Sequence, residues 1–197
     1  LYKRVSKMVQ KSICDKIFEE GAIIPAVRTV DDFKYAINNT KSISIILLFG
    51  DIIVLPSIIQ EAQKHNKRIL VHLDLLGGIG KDKAGIRYLA RLGVTGAITT
   101  KPQLVKFARE EGMIVIQRFF VMDSEALKSG INLLRSCKPD AVEILPASVP
   151  KSIIDELYRE TSLPILAGGL MNTMEDVQHA LDNGIHAVST SKKELWS

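Results

Sequence analysis

Short runs of aliphatic and β-branched residues alternate along the chain with segments whose apolar positions recur every three or four residues. That alternation is how parallel α/β structure reads. Eight runs have strand character, at residues 22–26, 44–49, 68–74, 96–99, 114–119, 141–145, 164–167 and 187–190. Several are apolar almost throughout, as strands covered on both faces are.

The intervening segments carry helical faces with recognisable ends. Phe33, Ala36 and Ile37 share one face behind Thr29 as a cap, and Ile58, Ile59 and Ala62 share another that stops at Asn66. Ile86, Leu89 and Ala90 end at Gly93; Leu104, Val105 and Ala108 end at Gly112. Leu127, Ile131 and Leu134 form the fifth face, and Ile153, Ile154 and Leu157 the sixth. In the seventh, the Thr173 hydroxyl stands at an N-cap with Asp176 three residues on, Val177, Ala180 and Leu181 follow, and Gly184 supplies the stop. Pro102 and Pro150 suit first helical turns, where a missing N–H costs nothing.

Repeated β–α units of this size build either a closed barrel or an open doubly wound sheet. Eight strands, and no GxGxxG after the first, favour the barrel. The expected fold is a compact TIM-type (β/α)8 barrel with short loops over residues 22–197, one domain, preceded by an N-terminal helical extension over residues 1–21. In the extension, Val5, Val9, Ile13 and Ile17 approximate a helical stripe flanked by Lys3, Arg4, Lys7, Lys11 and Lys16. It reads as a helix closing the lower end of the barrel, with an RNA- or partner-binding arm as the alternative.

Composition narrows the setting. At 197 residues and 46% hydrophobic, the chain holds one substantial core and is short for two. No apolar run reaches the length of a membrane span, and the opening residues lack the apolar middle of a secretory signal. Cys14 and Cys137 lie far apart and read as reduced thiols of a cytoplasmic protein. A net charge of +4 permits an anionic ligand or RNA and demands neither.

In a barrel of this kind the ligand sits where strands end and helices begin. Gly168 and Gly169 follow strand seven, where glycine lets backbone approach a ligand closely. Strand eight ends in Ser189-Thr190-Ser191, which offers hydroxyls and N–H groups at a short helix start. Together these loops suggest a phosphate site built from backbone donors and helix dipoles, with Gly168, Gly169, Thr190 and Ser191 as its members. His72 and Asp74, two apart on strand three, share a face and are either an acid/base pair or an interior histidine beside a loop-capping carboxylate. Glu143 lies in an apolar strand and must be paired, either with ligand hydroxyls, the reading we favour here, or with Arg118 on the preceding strand. Arg28 and Lys101 follow strands one and four, placed to complement an anion.

The chain shows no HExxH, zinc spacing, P-loop or nucleophile elbow, so neither a catalytic set, a metal nor a cofactor is expected. His179 and His186 read as surface residues, and the basic turn Lys64-His65-Asn66-Lys67-Arg68 as a solvated turn at the barrel's bottom, with an RNA contact as the alternative.

Several segments, in order, carry a family resemblance: Pro25-Ala26-Val27-Arg28, His72-Leu73-Asp74-Leu75, Gln117-Arg118-Phe119-Phe120 with Asp123-Ser124, and Lys138-Pro139-Asp140. It continues in Val142-Glu143-Ile144-Leu145-Pro146, Ala167-Gly168-Gly169 and Val188-Ser189-Thr190-Ser191 with Leu195-Trp196. From about Ile24 to Trp196 the chain resembles the bacterial glycerol-uptake operon antiterminator regulatory proteins. The resemblance implies a regulator that senses glycerol 3-phosphate and acts on the leader mRNA of glycerol-utilisation genes so that transcription passes a terminator. The partners so implied are a small phosphorylated metabolite and leader mRNA, with no membrane; a homo-oligomer is a further candidate. Ala147 stands where the family usually has glycine, and the extension is longer than typical. The competing reading is a small barrel enzyme, an isomerase, aldolase or hydrolase of a polyol or sugar phosphate, with Asp74 or Glu143 as acid/base.

Overall fold

The computed structural model describes residues 22–196. The apolar stripe and basic flanks of the extension, and Cys14, lie outside the described residues. Eight parallel strands close into a barrel in sequence order. They are β1 (Ile23–Val27), β2 (Ser44–Leu47), β3 (Arg68–His72), β4 (Gly96–Thr99), β5 (Ile114–Phe120), β6 (Ala141–Leu145), β7 (Ile165–Gly168) and β8 (Ala187–Thr190). Closure is made by β8 on β1, where Ile24 pairs with Ser189 and Pro25 with Thr190.

Seven helices among the described residues cover the outside: α1 (Val30–Asn39), α2 (Leu55–Lys64), α3 (Lys83–Leu92), α4 (Pro102–Glu110), α5 (Ser124–Cys137), α6 (Lys151–Thr161) and α7 (Met174–Asp182). Their ends follow the chemistry of their residues. Thr29 Oγ1 accepts the Asp32 N–H at the start of α1, and Thr173 and Asp176 form a reciprocal capping box on α7. Gly93 ends α3 in the left-handed conformation that glycine adopts without a Cβ clash. Pro102 opens α4 as expected, while Pro150 stands one residue outside α6, at its N-cap.

The strand–helix layer is packed as two apolar clusters. One runs through Val27, Phe33, Leu47, Val71, Leu89 and Val115, the other through Leu127, Val142, Ile144, Leu157, Val177 and Val188. A third, inside the barrel, holds Ile24, Ala26, Ile46, Leu70, Ile98, Ile116, Ala141, Leu166 and Ala187. Strand residues therefore alternate strictly between the bore and the helices, so the fate of every polar strand residue is set by its parity.

The register fixes which inward residues share a level. Crossing to the paired residue and stepping up one at each strand leads from Ala26 through Leu47, His72, Thr99, Arg118, Ile144, Gly168 and Thr190 back to Ala26. Of these, the odd-strand residues Ala26, His72, Arg118 and Gly168 face the bore and form one tier, in the manner of barrels layered by alternate strands. Ile46, Ile98, Glu143 and Ser189 make the tier beneath.

Several expectations are corrected. β3 ends at His72, because the chain turns into a 3₁₀ segment over Leu73–Leu75, so Asp74 belongs to a loop. β8 is followed by a three-residue 3₁₀ turn, Lys193–Leu195, and by no longer helix among the described residues. His186, read from sequence as a surface residue, is half-buried, its Nδ1 accepting the Ile165 N–H at 3.2 Å and its ring beside Tyr158; His179 is exposed. The basic turn does lie at the strands' N-terminal end. Lys67, however, is partly buried and donates to the Thr40 and Ser42 carbonyls at 2.8 and 2.7 Å.

Candidate functional site

A cavity of about 340 Å³ opens at the C-terminal end of the strands, near the lower bound of small-molecule sites. Its floor is the tier just described, with Ala26, Arg118 and Gly168 lining it. Leu48 and Leu145 form part of the wall, and Ser189 also lines the cavity from the tier beneath. The loop after β7 (Gly169 to Asn172), the segment Thr190 to Lys192 and Arg28 complete the rim. A second hollow of about 410 Å³, lined by Gln117, Phe119, Phe120, Gly130 and Leu133 among others, opens between β5 and α5 on the helical side of the sheet, away from the bore.

Beneath the floor sits a clamp. Glu143 is fully buried; its Oε2 accepts from Arg118 Nε at 2.6 Å and its Oε1 from the Ser189 hydroxyl at 2.6 Å. Both carboxylate oxygens are thus engaged, and the group holds Arg118 and Ser189 in place rather than opening on the cavity. The pairing with Arg118, weighed as the alternative in the sequence, is present. Arg118, 13% exposed, carries the charge to the cavity surface.

Gly168 has to be glycine for contact reasons. A Cβ there would stand 2.6 Å from Ser189 Oγ and 3.4 Å from Glu143 Oε1. Gly169 takes φ +77°, and Leu170 after it φ +57°, so the loop turns sharply over the cavity. The Ala147 N–H donates to the Gly169 carbonyl at 3.4 Å, which ties the β6 loop to this turn.

The helix dipoles expected to help an anion are not offered. The Asp176 carboxylate accepts the Asn172 and Thr173 N–H groups at 2.7 and 2.9 Å, so α7 brings its own negative charge to its first turn. The 3₁₀ turn after β8 is too short for a macrodipole. Positive side chains are present instead: Arg28, Arg118 and Lys192 all line the cavity, and no carboxylate is among its lining residues. Lys192 and Asn172 were not singled out from the sequence. The Lys192 Nζ donates to the Asn172 carbonyl at 3.1 Å and bridges the β7 and β8 loops. The only sequence cue for Lys192 is that it directly follows Ser189-Thr190-Ser191.

The β8 segment is braced from behind. Buried Trp196 donates from Nε1 to the Thr190 carbonyl at 2.7 Å, and Lys193 pairs with Asp32 at 2.7 Å. Asp32 also accepts the Arg28 N–H at 3.2 Å, so one carboxylate links the β1 and β8 loops.

Asp74 and Lys101 lie apart from this cavity. Asp74 accepts from Thr99 Oγ1, the Thr100 N–H and Thr100 Oγ1 at 2.8, 2.8 and 2.9 Å. Burial pushes its carboxyl up, but the hydrogen bonds from Thr100 and Thr99 outweigh burial and hold it below the usual range. Lys101 is the exposed N-cap residue of α4, its N–H held by Thr99 Oγ1 at 3.0 Å. Among the described residues, no group of three His, Cys, Asp or Glu side chains is arranged to hold a metal. No described helix is long and apolar enough to cross a membrane. Cys137 is free and half-buried, and burial pushes its thiol up, away from the reactive thiolate.

The model of the glycerol-3-phosphate responsive antiterminator family matches residues 23–196, the whole of this barrel. The chain belongs to that family. It is 31% identical to the glycerol uptake operon antiterminator regulatory protein of Listeria monocytogenes, whose crystal structure superposes with a TM-score of 0.83 over 89% of this chain and 94% of that one. A glycerol uptake operon antiterminator-related protein from Thermotoga maritima is 28% identical, with a TM-score of 0.80 over 90% and 98% of the two chains. The uncharacterized protein YgcP of Escherichia coli is 29% identical over 182 residues, 92% of this chain and 94% of YgcP. The family is one of transcription antitermination regulators, which settles the choice between regulator and barrel enzyme in favour of the regulator.

Proposed function

We propose that this antiterminator-family chain is a glycerol 3-phosphate sensor, and that the loaded barrel acts on the leader mRNA of glycerol-utilisation genes. The observation that carries the ligand reading is the composition of the cavity: three cationic side chains, the two adjoining loops after β7 and β8, and no lining carboxylate, in a space suited to a small dianion. The phosphate lies against Gly168, Gly169, Thr190 and Ser191, with Arg28, Arg118 and Lys192 supplying charge. Glu143 acts through Arg118. The family's description, a glycerol-3-phosphate responsive antiterminator, supports this effector, and antitermination supports an RNA target.

Two measurements test it. Glycerol 3-phosphate raises the melting temperature, and glycerol or inorganic phosphate alone does less. At 100 times its dissociation constant a ligand stabilises the native state by about 2.7 kcal/mol. At roughly 2–4 °C per kcal/mol for a chain of this size, that is a shift of about 5–10 °C. A larger shift from an unrelated phosphosugar refutes the effector. In a gel-shift titration, leader transcript binds more tightly in the presence of glycerol 3-phosphate, and by linkage RNA tightens effector binding by the same factor. RNA affinity that is indifferent to saturating effector refutes the sensing model.

A further inference from the structure

Within the inward-facing tier that floors the cavity, one member has no assigned role. Ala26, Arg118 and Gly168 line the cavity; His72 is the fourth residue at that level. Its strand, β3, stands four places from β7 in the closed barrel, so His72 faces Gly168 across the bore. Gly168 contributes no side chain and Ala26 only a methyl, which leaves the middle of the tier to His72 and Arg118.

His72 is 4% exposed, and its Nδ1 is buried without a hydrogen-bond partner among the described residues. Buried polar atoms in native proteins are nearly all paired, so an orphan nitrogen calls for an explanation. The nearby polar groups do not supply one. Asp74, in the 3₁₀ segment that follows His72, is held by Thr99 and Thr100, and Glu143 by Arg118 and Ser189. The tier beneath presents Ile46 and Ile98 on the strands flanking β3.

We infer that His72 recognises the hydroxyl end of the bound phosphorylated polyol, its imidazole turning to hydrogen-bond a hydroxyl while the phosphate lies across the bore at Gly168 and Gly169. This rests on the effector reading above and adds a specificity-determining residue to it. Burial, and then the Arg118 charge, hold the imidazole below its ordinary 6.5. The ring is therefore neutral near pH 7, with one donor and one acceptor nitrogen, the complement of an alcohol rather than of a phosphate. Arg118, in the same tier, draws the anionic end. The two side chains together give the ligand a direction.

The test compares glycerol 3-phosphate with propyl phosphate, which keeps a phosphate on a three-carbon chain and lacks the hydroxyls, by calorimetric titration of the full chain. Wild type prefers glycerol 3-phosphate. His72→Phe keeps a ring and removes both nitrogens; it loses about tenfold in affinity for glycerol 3-phosphate, one neutral hydrogen bond's worth, and leaves propyl phosphate unchanged. Its melting temperature without ligand is equal or higher, because an unpaired buried nitrogen has gone. His72→Asn places a polar atom close to the Nδ1 position and recovers part of the preference, which also provides a readout should the phenylalanine variant not fold. A preference that His72→Phe leaves intact, or an equal loss for both compounds, overturns the assignment while the effector reading stands. Binding of neither compound by the wild type overturns both.

Discussion

The clamp under the cavity separates two roles for Glu143, and the variants Glu143→Gln and Arg118→Met read them. Removing one partner of a buried ion pair typically costs about 3–5 kcal/mol, because the other charge is left uncompensated. The two ends are not equivalent here. Arg118→Met strands a fully buried carboxylate whose remaining donor is the Ser189 hydroxyl at 2.6 Å, so it should fall in that range. Glu143→Gln leaves a neutral amide still able to accept from Ser189, beside an arginine that is 13% exposed and can turn its charge towards the cavity. Its cost should be smaller, about 1–3 kcal/mol. The double replacement Glu143→Leu, Arg118→Met removes both charges and should recover most of the loss, since an apolar pair of similar volume is often no worse than a buried ion pair. Urea unfolding with and without glycerol 3-phosphate gives the cycle and the ligand response together. Both single variants bind the ligand more weakly, Arg118→Met most, because the cavity charge has gone. A Glu143→Gln protein of wild-type stability with lost ligand affinity would show the carboxylate to be a direct ligand acceptor and refute the clamp.

Gly168→Ala should lower the melting temperature and abolish the ligand response together, since its Cβ would displace the Ser189 hydroxyl from Glu143; an unchanged ligand shift in that variant would remove Gly168 from the site. Stability should fall on acidification in two stages. Burial lowers the pKa of both His72 and His186, so between 6.5 and their folded values the unfolded chain binds more protons; their contribution is complete above about pH 6.5 and is lost as pH falls. Asp74, held below 3.8 against burial by Thr100 and Thr99, adds a second loss as pH falls below that value. Melting curves across pH check both stages, and a His72→Phe, His186→Phe protein with an undiminished slope between pH 6.5 and 5 would place the first loss elsewhere.

What the sequence made legible follows from what is local. Thr29, Thr173 with Asp176, Gly93 and Pro102 mark helix ends through bonds made within one turn, and each stands where its chemistry puts it. The Arg118–Glu143 neighbourhood was legible too, because successive strands of a parallel barrel pair and both residues face the bore. What stayed hidden depends on loops or on register. Lys192 and Asn172 belong to no periodic pattern, so nothing short of the folded loops brings them over one cavity. Asp74 left the expected pair with His72 because the chain breaks from β3 at His72 and turns, which carries the carboxylate to Thr99 and Thr100. The helix-dipole reading failed through a competing local effect: the acid that makes Thr173–Asp176 a good cap is the same acid that screens α7 from an anion.

That His72 shares a level with Arg118 and Gly168 cannot be read from any one strand, since it follows from the stagger accumulated around the closed barrel. This tier also bears on why a barrel with aldolase-like possibilities in its sequence serves regulation. Asp74 and Glu143, the carboxylates on which an acid/base mechanism would draw, are each committed to at least two hydrogen bonds that hold strand ends and Arg118 in place. The cavity is left with the positive charge of Arg28, Arg118 and Lys192 and no lining carboxylate, a composition suited to holding an anion reversibly. A sensor requires that its effector bind tightly enough to shift the protein's state and leave unchanged, and ligand energy couples to the surface only where the cavity is tied to it. The ties are visible in Trp196 on Thr190, and in Asp32 shared between Arg28 and Lys193: a ligand that reorders the β8 segment acts on α1 and the C-terminal turn through those bonds.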